Sequence, residues 1–503
     1  MRNKIGRALA CLTLLAVLAG VTAVPASAAG FRDVPKNHWA AESIQRCVSL
    51  GFFQGKSPDT FGLGEQMTRS AFAVVLCRFF GWETPKPETA TFEDVPVTAW
   101  YAGAVETAYD HGAVTGQRED FRPNDAITRE ELAVMLVRAL GYGTIAGLAQ
   151  DLEMPFQDVT TNAGYLTMAY DLGLMDGTSA TAFSPDKTAP REQVAVILMR
   201  LYDKLHSAPP KQVAVLSGGA AADLSGLAAA AIPGGHLIGV AGKASLTNAL
   251  PEETVAQLQQ SVRKAGAQAL LYVDGGTSAL NAAAQESVAL LCQAVAAGGY
   301  DGLFLDVPQV QRESRRALTE LVEKLAAALG DKPLYLAVEA PTWAGKSYEG
   351  YDYGALAAAA DHLVLRVPSY EHRSGSVPTA PVNPLEEVYY ALAYFKGIVE
   401  PEKLTLLLDP EMAVWSGSGR RELTAEELEE LLAGGEKHYS DRYACAYLTQ
   451  SSAGGGDLVA WYLDRQAMEE RIQLAKAFDV GQLCLPVWDD HARDLAFGSE
   501  TKT

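Results

Sequence analysis

The sequence FEDV at residues 92–95 has two close copies in the same chain, FRDV at residues 31–34 and FQDV at residues 156–159. Successive copies begin about 60 residues apart, a period slightly longer than that of most small repeat modules. Each copy is followed by an aromatic residue and then by a helical stretch that ends at a glycine. We therefore predict that this part of the chain consists of three copies of one helical unit.

The second helix of each predicted unit begins with a capping pattern. Thr68 and Thr128 each precede an arginine and place a hydroxyl where it can accept a hydrogen bond from the first helical turn. Glu131, three residues after Thr128, completes a capping box. The third unit has Pro190 instead, which suits a helix start because proline has no N–H that needs a partner. Apolar residues then recur at helical spacing and predict one buried face for each helix.

These units resemble the repeats of the surface-layer-homology (SLH) family over the range from Phe31 to about Leu205. The resemblance implies a compact, mostly α-helical domain that binds secondary cell-wall polysaccharide, often pyruvylated, attached to peptidoglycan. The ligand-binding residues that it implies are Trp39, Arg69, Trp100, Arg129 and Arg191.

The chemistry of these residue types fits such a ligand. An arginine beside a helix N-terminus suits a carboxylate, and a tryptophan face suits the apolar side of a sugar ring. From the residues alone, the same side chains could instead pack within the fold or cap its surface. The third unit is the least regular, since we match Tyr165 to the two tryptophans.

The first 29 residues are predicted to be a signal peptide. A basic start with Arg2, Lys4 and Arg7 precedes a short apolar run, and Ala26-Ser27-Ala28 has the small-x-small pattern that signal peptidase recognises. A retained anchor is disfavoured because a membrane span needs roughly 20 apolar residues. We expect a secreted protein at the cell wall or S-layer surface of a Gram-positive-type cell, without a membrane span after cleavage.

A short proline-containing stretch separates the repeats from a second domain. The predicted boundaries are residues 1–29 for the signal peptide, 30–88, 89–150 and 151–206 for the three repeats, 207–211 for the linker and 212–503 for the second domain.

Short apolar runs alternate with amphipathic stretches throughout the second domain, which predicts a parallel sheet covered by helices. Eight candidate strands over about 290 residues predict a closed (β/α)8 barrel of the TIM type. The candidate strands are Val213–Leu216, Leu237–Val240, Ala269–Val273, Gly302–Leu305, Leu334–Val338, Leu363–Val367, Leu404–Leu408 and Gln482–Leu485. Chemistry in this fold lies at the C-terminal ends of the strands. The residues placed there are Asp274, Asp306, Glu339, Tyr370, Glu371, Asp409, Glu411, Trp488 and Asp489.

The stretch YDGLFLD at residues 300–306 resembles the fourth strand of family-18 glycoside hydrolases, whose motif runs D-G-x-D-x-D-x-E. Weaker likenesses continue in the same order as far as Trp488. The resemblance implies a barrel that binds glycans, with Asp306, Tyr370 and Trp488 as the glycan-binding residues.

The motif departs from the family at the general acid. Pro308 occupies the position of the catalytic glutamate, and Phe304 replaces the preceding aspartate. Proline cannot donate a proton, and the loss of general acid catalysis typically lowers a rate by about 10²–10⁴-fold. We predict a catalytically degenerate, glycan-binding barrel. The alternative is an active hydrolase of N-acetylglucosamine-containing polymers, peptidoglycan or chitin, whose acid has moved, with Asp306 and Glu339 as candidates.

The overall charge limits the partners. A formal net charge of -20 disfavours nucleic acid and anionic lipid, whereas wall polysaccharide, peptidoglycan and a glycan in the barrel remain suitable. No C-x-x-C spacing indicates a metal or redox site, and we expect no cofactor. Cys47 and Cys77 fall on apolar helix faces, where a disulfide and two buried free thiols are both compatible with the sequence.

Overall fold

The computed structural model describes residues 30–116, 120–149, 154–217, 223–281, 284–342, 348–367, 379, 381, 383–416, 419–452 and 456–497. The predicted signal peptide lies outside these residues. The chain divides between Ser207 and Ala208, at the start of the predicted linker, into two compact units. Among the described helices, none combines the length and the hydrophobicity that crossing a bilayer requires.

The first unit is built from pairs of helices, one pair for each repeat, which confirms the predicted helical three-repeat architecture. The helices are α1 (Ala41–Ser49), α2 (Arg69–Phe80), α3 (Ala102–Asp110), α4 (Arg129–Ala139), α5 (Gly143–Leu148), α6 (Ala163–Asp171) and α7 (Arg191–Leu205). The pairs are α1 with α2, α3 with α4, and α6 with α7. The short helix α5 is an addition that follows the second pair.

The aspartate of each repeated tetrapeptide secures the loop that leads to the second helix of its own repeat. The carboxylate of Asp33 accepts hydrogen bonds from three successive main-chain N–H groups, beginning at Phe61. Asp94 and Asp158 each accept two such bonds at the equivalent positions. The main-chain bond from Phe183, the largest influence, helps hold the pKa of Asp158 below its usual value. The tetrapeptide therefore recurs because it closes this loop in every repeat.

The predicted capping at the second helices is confirmed in the first two repeats. Thr68 Oγ1 accepts from the main chain of Ala71, and Thr128 forms the full capping box with Glu131. Pro190 occupies the N-cap position of α7 without a side-chain hydrogen bond.

The segments that enter the three second helices form a closed ring of main-chain hydrogen bonds. Ile127 donates to the carbonyl of Met67 at 2.8 Å, and Ala189 donates to that of Ile127 at 3.0 Å. Met67 donates to the carbonyl of Ala189 at 3.0 Å and completes the ring. Each repeat therefore satisfies polar groups of the next one, and removing one repeat would leave the other two with unpaired main-chain groups.

The first residue of each second helix repeats the same cyclic pattern with its side chain. An arginine Nε donates to the carbonyl of a phenylalanine in another repeat, and the guanidinium lies 4.7–5.0 Å from the centre of that phenylalanine ring. The pairs are Arg69 with Phe121 (2.8 Å), Arg129 with Phe183 (3.0 Å) and Arg191 with Phe61 (3.1 Å).

Cys47 and Cys77 are buried free thiols, so no disulfide joins them. Their Sγ atoms lie in hydrogen-bond contact with the carbonyls of Ala195 (3.5 Å) and Ala104 (3.4 Å) in neighbouring repeats. Burial raises the pKa of both thiols to about 12, which keeps them protonated and unreactive.

The second unit contains a closed barrel of eight parallel strands, as predicted. Its strands and helices before the insertion are β1 (Lys211–Val215), β2 (Leu227–Val240), β3 (Lys243–Thr247), α8 (Glu252–Lys264), β4 (Gln268–Gly275), α9 (Ser278–Asn281), α10 (Ala284–Ala297), β5 (Gly302–Asp306), α11 (Arg315–Leu329), β6 (Leu334–Glu339), α12 (Tyr353–Ala359), β7 (His362–Arg366), α13 (Leu385–Phe395) and β8 (Leu404–Leu407). Those of the insertion and the end are β9 (Ala413–Ser416), β10 (Gly419–Glu422), α14 (Ala425–Gly434), β11 (Glu436–Ser440), β12 (Cys445–Ser452), β13 (Gly456–Tyr462), α15 (Arg465–Ala477), β14 (Gln482–Leu485) and α16 (Asp490–Phe497). Around the barrel the order is β1-β14-β8-β7-β6-β5-β4-β2, and β1 pairs with β2 to close it.

The second strand of the barrel was placed too late by the sequence analysis. The predicted strand Leu237–Val240 is the outer end of β2, where it pairs in antiparallel fashion with β3. The barrel uses the beginning of β2, where Ala229 pairs with Val213 of β1. This part of β2 is mostly alanine, so it lacks the branched apolar pattern by which the other strands were recognised.

An inserted antiparallel sheet separates the seventh and eighth barrel strands, β8 and β14. Its strand order is β10-β9-β13-β12-β11, and one face packs against α14 through a cluster that includes Leu428, Leu448 and Ala460. The sequence analysis did not predict this sheet.

The arginine ring leads to a stability prediction. Arg129 is 3% exposed and donates both to Phe183 and to the main-chain carbonyl of Asp176. Because Arg129→Ala leaves the buried carbonyl of Phe183 and the partly buried carbonyl of Asp176 without this donor, we expect the free energy of unfolding of the repeat unit to fall by about 3 kcal/mol. Arg200→Ala is the control, since it removes only an exposed ion pair with Asp176, worth about 0–1 kcal/mol. Equal losses in chemical denaturation followed by helical circular dichroism would contradict the structural role of Arg129.

Candidate functional site

Two of the predicted ligand-binding residues are exposed aromatic side chains. Trp39 and Trp100 each lie two residues before the first helix of a repeat, and they are 64% and 72% exposed. Both indole rings are available for stacking on a sugar.

The match of Tyr165 to these tryptophans was wrong. Two residues before α6, the position of the tryptophans is occupied by Thr161, because the third tetrapeptide is followed by a shorter loop. Tyr165 lies within α6 and is 8% exposed. Its hydroxyl accepts a hydrogen bond from Arg138 Nε at 3.3 Å and donates to the carbonyl of Gly143 at 3.2 Å.

Each of the three arginines expected to bind a ligand directs at least two of its donors into the protein. Besides its bond to phenylalanine, Arg69 pairs with Glu131 at 2.9 Å, and Arg191 donates to the carbonyl of Gln54 at 2.9 Å. Burial lowers the pKa of all three motif guanidinium groups, Arg129 included. These contacts join the repeats, and the expected role of the three arginines in ligand contact stays a prediction.

A cavity of about 390 Å³ lies between α2 and α3, beside Trp100. Arg78, Trp82 and Lys86 also line it. Sequence analysis missed these three residues. Arg78 could have been recognised from the sequence because it lies nine residues after Arg69, and arginine recurs at that spacing in all three repeats.

At the mouth of the barrel, Arg366 joins the carboxylates of two other strands. Asp306 ends β5 and is 6% exposed; its Oδ2 accepts from Tyr272 Oη at 2.9 Å and from Arg366 Nη2 at 2.5 Å. Its Oδ1 is buried and has no hydrogen-bond partner among the described residues. Asp306 therefore offers one free acceptor to a ligand.

Glu339, the other candidate acid, ends β6 and is 5% exposed. Its Oε1 accepts from Arg366 Nη1 at 3.2 Å and from the main chain of Gln309 at 3.1 Å. The hydroxyl of Tyr351 donates to Oε2. Both oxygens of Glu339 therefore already have hydrogen-bond partners within the protein.

Pro308 follows β5 without any group that could transfer a proton. Phe304, at the inner-aspartate position of the resemblance, is 1% exposed within the barrel and stacks on Tyr335 with ring centres 6.0 Å apart. The fourth barrel strand therefore brings Asp306 to the mouth and fills the interior below it with an aromatic side chain.

Trp488 does not line an open site. It is 2% exposed, its indole N–H donates to the carbonyl of Asp223 at 3.1 Å, and its ring packs against Phe497. This burial corrects the expectation that Trp488 stacks on a glycan. Tyr370 and Glu371 lie outside the described residues.

The remaining strand-end carboxylates differ in their surroundings. Asp274 is about half exposed and pairs with His236 at 3.3 Å. Asp409 Oδ1 accepts from the main chain of Glu411 at 3.0 Å. Burial, with the nearby carboxylate of Glu422, raises the pKa of Asp409 to about 6.

The repeat segments match the family model described as S-layer homology domain at residues 30–73, 91–133 and 155–195. The chain contains three S-layer homology domains. They indicate a protein of the cell surface that is associated with the cell wall.

Curated relatives match part of this chain. An endoglucanase of Bacillus sp. (strain KSM-635) is 32% identical over 190 residues, which cover 35% of this chain and 19% of the relative. The S-layer protein EA1 of Bacillus anthracis is 31% identical over 201 residues, 38% of this chain and 22% of the relative. This chain spans about a fifth or less of the length of the first curated relatives that it matches.

Solved structures resemble the barrel. A chitinase from Chromobacterium violaceum ATCC 12472 aligns with a TM-score of 0.50 and 19% identity, covering 57% of this chain and 98% of that chain. A class V enzyme of the same kind from Pseudomonas fluorescens Pf-5 gives a TM-score of 0.50 and 19% identity, covering 57% and 99%. At these identities the likeness shows a shared fold.

The inserted sheet adds aromatic side chains that sequence analysis did not assign to a site. Trp461 lies between Tyr447 and Tyr443, with ring centres 4.6 and 5.5 Å away. The guanidinium of Arg420 lies 5.6 Å from the ring of Trp415. Its charge partly offsets the rise in the pKa of Asp409 that burial causes. The S-layer homology domains are thus followed by a barrel with aromatic residues near its seventh strand.

The raised pKa of Asp409 makes the stability of the barrel depend on pH. An unfolded aspartate has a pKa of about 3.9, so the folded chain binds this proton more tightly. This contribution to stability is fully present below about pH 4 and is lost as the pH rises through about 6.

We therefore expect Asp409→Asn to raise the free energy of unfolding by about 1–3 kcal/mol near pH 8, since one pKa unit corresponds to about 1.4 kcal/mol. The gain should disappear near pH 4. Chemical denaturation at both pH values tests this expectation, and an equal effect at the two pH values would contradict it.

Proposed function

We propose that the three S-layer homology domains hold this protein on a secondary cell-wall polysaccharide, and that the barrel binds a glycan without cleaving it. The observation that carries the first half is the closed ring of three repeats with Trp39 and Trp100 exposed at its surface. The observation that carries the second half is Pro308 at the position of the general acid, next to carboxylates already paired with Arg366.

The anchoring proposal leads to a direct test with isolated cell walls. We expect the mature chain, from residue 30, to sediment with Gram-positive cell walls that carry their secondary polysaccharide. Walls from which the polysaccharide has been stripped should lose most of this binding. Unchanged binding to bare peptidoglycan would contradict the polysaccharide as the ligand.

Hydrolysis would need a group that donates a proton to the departing sugar oxygen. Substrate-assisted cleavage also needs an acceptor that steadies the acetamido group of the substrate. Asp306 Oδ1 can supply an acceptor. Pro308 cannot supply the proton, and both oxygens of Glu339 are already engaged by hydrogen-bond partners within the protein. The barrel thus keeps a binding group and lacks the acid.

The second candidate function is a hydrolase whose acid has moved to the seventh barrel strand. Asp409 favours it, because a carboxyl group with a pKa of about 6 is protonated often enough near neutral pH to act as a general acid.

An activity assay separates the two functions. We expect the mature chain to show no turnover of chitin oligomers or peptidoglycan above background. Turnover that is abolished by Asp409→Asn or Glu339→Gln would contradict the binding role and identify the acid. Gain of turnover in Pro308→Glu, from an inactive parent, would assign the loss of activity to this position.

Binding is measured separately, by calorimetry with the same oligomers. Asp306→Ala should weaken it because the variant removes the free acceptor at the barrel mouth. Normal binding by that variant would place the ligand elsewhere on the barrel.

A further inference from the structure

Five consecutive barrel strands, β4 to β8, bring charged side chains to the mouth of the barrel. Asp274 lies at the end of β4, Asp306 ends β5, Glu339 ends β6, and Asp409 follows β8 by two residues. Arg366 ends β7 and is the one cation among these five positions. Four carboxylates and one arginine give this layer of the barrel an excess of negative charge.

The hydrogen-bond donors around two of these carboxylates are already used within the protein. Arg366 donates to Asp306 Oδ2 at 2.5 Å and to Glu339 Oε1 at 3.2 Å. The hydroxyl of Tyr272 donates to Asp306 Oδ2 at 2.9 Å, and that of Tyr351 donates to Glu339. A ligand oxygen at this point, such as that of an N-acetyl group, would have to compete with the carboxylates for these donors.

One buried acceptor at the mouth still lacks a donor. Asp306 is 6% exposed, and among the described residues its Oδ1 has no hydrogen-bond partner. Its side chain lies on the same face of β5 as that of Phe304, which belongs to the cluster inside the barrel, so the carboxylate points into the mouth. Because a buried acceptor without a donor costs free energy, a ligand that donates a hydrogen bond here is favoured.

Asp409 is a second carboxylate whose charge is incompletely balanced. Burial and the nearby carboxylate of Glu422 raise its pKa to about 6, although the charges of Arg366 and Arg420 act in the opposite direction. Arg420 itself is paired with Glu411. A cation bound beside Asp409 would stabilise its ionised form.

The inserted sheet adds an aromatic ring on the Asp409 side of the mouth. Trp415 of β9 is partly exposed, and its ring lies 5.6 Å from the guanidinium of Arg420, whose charge acts on Asp409. An indole face suits the apolar side of a sugar ring. The site therefore combines carboxylates that need positive charge with a surface on which a sugar can stack.

A protonated amino group meets these requirements better than an N-acetyl group. An ammonium group carries a positive charge, offers three donors and needs no donor in return. An N-acetyl group is neutral, offers one N–H donor and has an oxygen that needs a donor of its own.

We propose that the barrel mouth binds glucosamine units whose amino group is free and protonated, through Asp306 and Asp409, with Trp415 beside the sugar ring. The preferred ligand is then a de-N-acetylated glycan. This inference rests on the proposed glycan binding by the barrel and names the chemical group that the site selects.

The test compares two ligands in calorimetry with the mature chain, at a pH at which the amines are protonated. Short glucosamine oligomers should bind about ten- to a hundred-fold more tightly than the same oligomers after N-acetylation, because charge-assisted hydrogen bonds replace neutral ones. Equal or tighter binding of the N-acetylated oligomers would overturn the selection of an amine.

Two isosteric variants assign the preference to the mouth. Asp306→Asn and Asp409→Asn should each lower the ratio of the two affinities by about tenfold, since each removes one negative charge. Thermal unfolding verifies that both variants keep the fold. An unchanged ratio in both variants would overturn the site.

The matched control is Glu402→Gln. Glu402 is exposed and precedes β8, at the opposite end of the strand that Asp409 follows. Its variant removes the same charge from the acidic chain and should leave the ratio unchanged. A loss equal to that of Asp409→Asn would indicate general attraction between a polycation and an acidic protein, and it would overturn a site at the mouth.

A last comparison separates a sugar amine from a peptide amine. Peptidoglycan fragments with fully N-acetylated sugars and free amino groups on their peptides should bind more weakly than the glucosamine oligomers. Equally tight binding of these fragments would place the ammonium group on the peptide and overturn the sugar amine. Failure of every oligomer to bind would overturn the proposed glycan binding itself, whereas equal binding of the amino and N-acetylated oligomers would overturn the amine preference alone.

Discussion

The ring of hydrogen bonds through Met67, Ile127 and Ala189 is the constraint on which the N-terminal unit depends. Each repeat is too short to bury both faces of its helices, and each leaves polar main-chain groups that another repeat completes. Because the ring closes after three members, no repeat has an unpaired outer edge at this level. The same cyclic arrangement directs the motif arginines inward and brings the second helix of one repeat against the first helix of another.

Because the ring closes, a motif that recurs in every repeat can recur for a structural reason. The motif arginine of each repeat binds a carbonyl and covers a phenylalanine ring in another repeat, as Arg129 does with Phe183. The other two are Arg69 and Arg191. Arg78, Arg138 and Arg200 occupy one helix position but have different neighbours, so three similar repeats present three chemically different junctions.

In the barrel, a comparable role belongs to Arg366. Two carboxylates at the ends of neighbouring strands would repel each other in a buried site. Arg366 lies between Asp306 and Glu339 and stabilises the charge on both. This pairing fixes both carboxylates at the mouth of the barrel. The chemistry of the barrel mouth therefore depends on Arg366 as much as on Pro308.

The sequence by itself determined the architecture. Repeat spacing, capping residues and the alternation of apolar strands with helices are local or periodic properties, and they predicted the three-repeat helical domain and seven of the eight barrel strands. The alanine-rich start of β2 escaped because small side chains leave no distinctive pattern. The sequence also showed that position 308 holds a proline and not a glutamate, because this depends only on the identity of one residue.

Only the tertiary structure decided which side chains remain accessible to a ligand and which are occupied by contacts within the protein. Whether Arg129 or Arg78 faces a ligand depends on carbonyls and carboxylates that are distant in sequence, such as Asp176 for Arg129. Trp100 and Trp488 were equal candidates by residue type, yet one is 72% and the other 2% exposed. The folded chain determines whether the protein or a ligand uses a given hydrogen-bond donor, charge or aromatic face.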